Sequence, residues 1–206
     1  MTTASETRPG RVITVRDEPL MRIYENIFDA DECEHIIELA KPELDRAVVS
    51  GGESGVKSDG RTGSVRWLRH DISSTVQGCV NRLAEVTGLP TTNAESLQVI
   101  HYAQNQEYKP HFDAWEHDTE RGKRCMARGG QRLVTCLVYL NDTFKGGGTV
   151  FPRMDTEVQP RQGRMVLFEN CVAGGNIRDD STLHGGSPVL DGEKWACNLW
   201  FRENTY

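Results

Sequence analysis

Apolar residues Cys33, Ile36, Ile37, Ala40 and Leu44 recur at i, i+3, i+4, i+7 and i+11, the stripe of one helical face. Asp29 precedes the stripe and Glu32 follows three residues later, the pattern of a capping box. The spacing predicts a helix from Asp29 that Pro42 ends or kinks. A second helix is predicted after Asp71, with Ile72, Val76, Cys79, Val80, Leu83 and Val86 on its buried face and Gly88 and Pro90 as its stop. Between the two helices, Ser50 to Ser64 carries five glycines and mixed charges. It is too polar for a core element and longer than an ordinary connection, and it reads as a mobile loop, either a tolerated insertion or a lid beside a cleft.

From residue 95 the period shortens to that of strands. Ser96 to Ala103, Tyr108 to Asp113, Arg132 to Leu140, Gly148 to Phe151, Arg164 to Glu169 and Lys194 to Arg202 are the predicted strands, separated by Gly, Asn, Asp and Pro. Ala114 to Gly130 reads as a second charged loop. Helices followed by many short strands predict an α+β, mainly β fold, a β-sandwich or jelly roll buttressed by N-terminal helices.

Composition narrows this picture. The 206 residues fit one domain at the usual ~150 residues per domain, with 1–19 as a disordered or extended lead-in and 20–206 as the domain. A net charge of −6 disfavours nonspecific binding to nucleic acid or anionic membranes. Mean hydropathy is −0.55, and no run approaches the ~18 apolar residues of a membrane span. The first ten residues hold no apolar stretch of the secretory kind, so a cytoplasmic location is expected. Cys33, Cys79, Cys125, Cys136, Cys171 and Cys197 form no C-x-x-C pair, and reduced core thiols are expected of them.

The candidate chemistry begins at Lys109-Pro110-His111-Phe112-Asp113. Residues i and i+2 of a strand share a face, so His111 and Asp113 point together. His184, in Leu183-His184-Gly185-Gly186, is the candidate third ligand. Two imidazoles and one carboxylate on one face of an octahedron leave three positions open, the arrangement expected for non-haem Fe(II). An H-x-D pair alone does not define a metal site, and the same three residues could serve a zinc hydrolase. Lys194 adds a discriminating feature. It opens the apolar run Trp195-Ala196-Cys197-Asn198-Leu199-Trp200, and an inward lysine there needs an anionic partner such as a dicarboxylate bound at the metal. The alternative is a lysine at a strand end reaching back to water.

With these residues in view, the chain resembles the catalytic domain of collagen-type prolyl 4-hydroxylases, within the Fe(II)/2-oxoglutarate dioxygenases. The matching segments, in order, are Leu97 to Tyr102, Tyr108 to Asp113, Gln131 to Asp142, Gly146 to Pro152, Ser181 to His184 and Ser187 to Trp195. The resemblance implies a double-stranded β-helix (jelly roll) with N-terminal helices packed on one sheet. It implies His111, Asp113 and His184 as iron ligands, Lys194 as the partner of the distal carboxylate of 2-oxoglutarate, and Tyr102 as a hydrogen-bond donor to it. Thr135 is expected to line that pocket, Trp200 to lie near the peptide-side opening, and Arg61 to contact a substrate peptide. A hydroxyl that the family carries next to this arginine is absent, because residue 63 is glycine.

Because the carboxylate ligand is present, hydroxylation rather than halogenation is the implied outcome. The implied cofactors and cosubstrates are Fe(II), 2-oxoglutarate and O2, with ascorbate as reductant. The implied partner is a proline-containing peptide or protein, with no nucleic acid and no membrane; the oligomeric state stays open. A hydroxylase of a free amino acid or small metabolite is the second reading, and a non-catalytic metal or 2-oxoglutarate sensor the third.

Overall fold

A computed structural model describes residues 10–47, 60–142 and 145–206. Its strands are β1 (Val12–Asp17), β2 (Leu20–Tyr24), β3 (Asp45–Arg46), β4 (Ser64–Leu68), β5 (Leu97–Tyr102), β6 (Tyr108–His111) and β7 (Arg132–Tyr139). They continue as β8 (Lys145–Gly146), β9 (Thr149–Phe151), β10 (Thr156–Val158), β11 (Met165–Glu169), β12 (His184–Gly186), β13 (Val189–Asp191) and β14 (Lys194–Arg202). The helices are α1 (Ala30–Ala40), α2 (Ser74–Thr87) and α3 (Glu120–Met126).

The expected capping box is present. The Asp29 carboxylate accepts from the Glu32 backbone N–H at 2.8 Å, and Glu32 accepts from the Asp29 N–H at 2.9 Å. α1 stops at Ala40, and Pro42 lies in the 3₁₀ turn that follows. α2 starts later than the apolar spacing suggests, at Ser74, because the Ser73 hydroxyl caps the Val76 N–H. Ile72 is therefore not on its buried face but in the preceding turn, 43% exposed. Gly88 ends α2 in the left-handed conformation, φ 71°. Arg82 of α2 holds Glu32 of α1 with two hydrogen bonds of 2.8 Å, fixing one helix on the other.

The larger sheet has eight strands in the order β1-β2-β11-β7-β14-β5-β4-β3, facing a four-stranded sheet β10-β9-β12-β6, with β13-β8 a short separate pair. The strand pairs are antiparallel, the architecture of a jelly roll. The period of two sorts β14 cleanly. Trp195, Cys197, Leu199 and Phe201 pack under the helices with Cys33, Ile36, Val76 and Leu83. Ala196 faces the opposite cluster with Tyr102, Tyr139, Phe151 and Phe168. Both faces of the strand are covered, so it reads as a continuous apolar run.

Several segments differ from the pattern-based expectation. Val12–Asp17, inside the expected lead-in, is the edge strand of the larger sheet, while residues 1–9 lie outside the described residues. Every position but Ile13 is exposed, so the segment carries no apolar alternation to read. The expected lid falls mostly on residues 50–59, outside the described residues; its remainder, Gly60 to Ser64, bridges to β6 through Arg61 and Tyr108. The charged loop after Ala114 is not wholly irregular. It contains α3, whose Thr119 cap accepts from the Gly122 N–H. No helix among the described residues is long and apolar enough to cross a membrane.

Candidate active site

β6 and β12 pair so that His111 lies opposite His184. That approach requires a glycine next door. A Cβ at Gly185 would stand 2.8 Å from the Tyr108 carbonyl oxygen and 3.0 Å from the Pro110 nitrogen, so a side chain there would push the strands apart. β6 ends at His111, two residues earlier than its sequence pattern suggests, and Asp113 turns inward beyond it. Asp113 Oδ1 is 3.7 Å from His111 Nε2, and Oδ2 is 3.5 Å from His184 Nε2. The three donor atoms lie within 4.8 Å of one another.

The surroundings orient the groups that a metal needs. His111 Nδ1–H donates to the Lys109 carbonyl oxygen at 3.0 Å, and His184 Nδ1–H to the Thr182 carbonyl oxygen at 2.9 Å. A carbonyl only accepts, so Nδ1 is the donor in each ring and Nε2 is the nitrogen turned toward the shared centre. Burial, reinforced by the neighbouring His184, pushes the His111 pKa down, which favours the neutral imidazole. Burial acts to raise the Asp113 pKa, but His184, His111, Arg132 and the Trp200 hydrogen bond outweigh it and keep the carboxyl ionised.

Asp113 is held on one oxygen. Oδ2 accepts from Thr135 Oγ1 and from Trp200 Nε1, each at 2.8 Å, and Asn170 Nδ2 donates to the same Thr135 hydroxyl at 2.8 Å. Trp200 is held in turn by Arg132, whose guanidinium lies 3.8 Å over its ring and binds Glu95 at 2.6 and 2.8 Å. Thr135 therefore does not line the cavity as expected; its hydroxyl faces Asp113, and the β7 residues that do reach the cavity are Arg132 and Leu137. Trp200 does wall the cavity, and its N–H also orients a metal ligand.

The triad opens into a cavity of about 780 Å³. Lys194 closes its inner end. It is 3% exposed, pairs with Tyr102 across the β14–β5 ladder, and lies 5.9 and 5.2 Å from the rings of Tyr102 and Tyr139. Its Nζ donates to the Gly147 carbonyl oxygen at 2.6 Å, and no carboxylate pairs with it among the described residues. Burial pushes its pKa down to about 7. A buried ammonium next to a metal cluster, matched only by a neutral carbonyl, fits an anionic guest. Burial also raises the pKa of the Tyr102 phenol, keeping it a donor, with Arg61 acting the other way.

Arg61 forms part of the wall. It is buried, donates to Gln98 Oε1 at 2.9 Å and lies 4.8 Å over the Tyr108 ring, which itself stacks on His111 at 3.6 Å. Gly63 has a local reason: a Cβ there would meet the His101 carbonyl oxygen and the Tyr102 ring at 2.6 Å, so the absent hydroxyl has no room in this wall. Tyr108, Gln98, Glu95 and Arg132 escaped sequence reasoning. The available signal was the period of two on β5, which puts Gln98 on the face of Tyr102, and the position of Tyr108 three residues before His111.

Two imidazoles and a carboxylate converging beside open space make this the site of a mononuclear metal enzyme. Residues 97–202 match the family described as the 2OG-Fe(II) oxygenase superfamily. Arabidopsis thaliana proteins named probable prolyl 4-hydroxylase 7 and prolyl 4-hydroxylase 2 are each 34% identical to the chain. The first match covers 96% of the chain and 67% of the relative; the second covers 98% and 74%. Two solved structures share the fold. A viral collagen prolyl hydroxylase from Paramecium Bursaria Chlorella virus-1, as a 2OG complex, has a TM-score of 0.64 at 23% identity over 88% of this chain and 95% of that one. A Trichoplax adhaerens prolyl hydroxylase, in complex with a hypoxia inducible factor oxygen degradation domain peptide fragment, has 0.62 at 17% over 89% and 83%.

The chain belongs to the 2OG-Fe(II) oxygenase superfamily and, within it, to the prolyl 4-hydroxylases. It is a dioxygenase that uses Fe(II) and 2-oxoglutarate.

Proposed function

We propose that this dioxygenase hydroxylates prolyl residues of polypeptides at the 4-position, with His111, Asp113 and His184 holding the iron. The observation that carries the polypeptide reading is the form of the cavity. Its inner end is the enclosed Lys194–Tyr102 pocket, while its mouth is walled by the exposed residues Trp67, Glu116 and Arg121. A small-metabolite enzyme would enclose its substrate, whereas this mouth leaves room for a chain to enter and leave.

Bound iron with 2-oxoglutarate and O2 supplies the oxidation, inserting one oxygen atom into a C–H bond while 2-oxoglutarate becomes succinate and CO2. The chain's own residues do the rest. Lys194 pairs with the distal carboxylate of 2-oxoglutarate, Tyr102 donates to it, and the two together orient the cosubstrate. Thr135 and Trp200 hold Asp113 by Oδ2 and leave Oδ1 for the metal. Tyr108, Ile100, Leu137 and the Trp200 ring exclude water from the centre. Arg61 and Trp200 form the wall against which the peptide lies, and ascorbate keeps the iron reduced.

Succinate release with Fe(II), 2-oxoglutarate, ascorbate and proline-rich peptides, followed by mass mapping of the added oxygen, tests this. Peptide-stimulated succinate release with the oxygen on proline is expected. His184→Ala should abolish it, and Lys194→Ala should raise the KM for 2-oxoglutarate more than it weakens iron binding. Stimulation by a free amino acid and by none of the peptides would overturn the polypeptide reading.

A further inference from the structure

Trp67 is a large aromatic residue that core packing does not explain. It lies on β4 opposite Gln98 of β5, is 44% exposed, and belongs to neither apolar cluster. Its ring is 6.0 Å from that of Trp200, tilted by 40°. It walls the active-site cavity, and it also walls a second, more open cavity of about 560 Å³. Arg69, Gln77, Ser96, Arg128 and Tyr206 are among the residues that bound this second hollow. Trp67 is thus the ridge between two hollows, one of which contains the metal ligands.

We infer that the second cavity is a docking subsite for the segment flanking the hydroxylated residue, with Trp67 as the platform that the chain crosses. This rests on the prolyl-hydroxylase reading and adds where the rest of the substrate lies. The residue being oxidised must sit near Trp200, because the indole N–H of Trp200 is bound to the ligand Asp113. An extended chain advances about 3.3–3.6 Å per residue, so the 6.0 Å between the two rings corresponds to about two residues. The residues beyond them fall past the ridge into the second cavity.

The chemistry of the ridge suits this occupant. Proline-bearing segments adopt an extended helix that loses little entropy on binding and docks in grooves lined with aromatic side chains. Trp200, Trp67 and Tyr206 supply such faces in succession along the two cavities. The Tyr206 ring is backed by Arg128, whose guanidinium lies 4.2 Å over it.

The test compares two peptides with the same central proline. One has a single residue on each side; the other is extended by about six residues on each side, a reach of about 20 Å. The wild-type protein should favour the long peptide by about tenfold in kcat/KM, a difference of about 1.4 kcal/mol. Trp67→Ala should bring the long-to-short ratio close to one, and Trp67→Phe should keep most of it. Gln77→Trp fills the second cavity from the surface of α2 without altering the Trp67–Trp200 contact, and should also collapse the ratio. Equal use of both peptides by the wild type, or a ratio unchanged in both Trp67→Ala and Gln77→Trp, would overturn the subsite and leave the prolyl reading standing. Turnover of a free amino acid and of neither peptide would overturn both.

Discussion

Lys194 is a buried amine matched only by the Gly147 carbonyl oxygen among the described residues. Its ordinary pKa of 10.5 falls to about 7 through burial, so the folded protein without cosubstrate binds this proton less tightly than the unfolded chain. Between those two values the unfolded state holds more protons, and this group adds stability to the unliganded protein as pH rises through that window. Binding of a dicarboxylate has the opposite sign, since the pairing needs the protonated amine. The KM for 2-oxoglutarate should therefore rise as pH climbs above about 7, approaching tenfold per unit. Steady-state kinetics from about pH 6.5 to 8.5 check this; Lys194→Ala should show a high and nearly flat KM. A flat wild-type profile would mean that the amine is not the carboxylate partner. The burial of this lysine was only half legible in the sequence: an apolar run follows it on its strand, but a lysine at a strand end could also reach back to water, and the family resemblance favoured the inward reading. Its lack of an internal carboxylate was not legible, since that depends on what the facing strands bring near.

At the scale of elements, the site depends on how closely β12 approaches β6. Gly185 permits that approach, and a methyl group there meets backbone atoms of Tyr108 and Pro110 that have no freedom to rotate away. Gly185→Ala should separate His184 from His111, lower iron affinity by at least about tenfold and cost about 1–3 kcal/mol of stability. Metal titration and urea unfolding measure the two effects. Iron affinity equal to the wild type would show that the ladder tolerates the added carbon. Elements with strong periodicity, α1 and β14 above all, were readable from their patterns. β1, β4 and β12 were not. β1 is largely exposed, β4 alternates around charged and polar residues, and β12 is three residues with two glycines, so each owes its strand geometry to its neighbours' open hydrogen-bonding edges.

Over the whole molecule, the apolar cores and the metal site are separate. One cluster lies between the helices and the larger sheet, the other between the sheets, and the triad stands beside the second rather than inside either. Chelation should therefore stop turnover and leave a cooperatively folded protein. Metal and 2-oxoglutarate bind only the native state, so saturation at about 100 times Kd should add about 2.7 kcal/mol, a rise of about 5–10 °C in Tm at this chain length. Thermal scans with Mn(II) as a redox-inert probe, with and without 2-oxoglutarate, measure it. No shift on adding both would contradict the assignment of the cavity. The net charge of −6 also has a spatial meaning, since the cavity wall itself gathers Arg61, Lys109, Arg121, Arg132, Arg178 and Lys194.

What the sequence by itself determined was the kind of chemistry. His111, Asp113, His184 and Lys194 offered a candidate metal site with an anionic guest, and the ordered motifs around them point to one family. Local periodicity likewise set the helices and the long strands, because side-chain direction along one element follows from backbone geometry alone. Only the tertiary structure decided which groups tune that chemistry. Arg132 and Thr135 of β7, Asn170, Trp200 and Glu95 come from four stretches of chain that are brought together around Asp113 and its supporting residues. The same arrangement put Thr135 on Asp113 instead of in the cosubstrate pocket, and set Trp67 between two cavities. A strand's own residues specify its faces, but its neighbours and its register arise from packing the whole chain around shared cores.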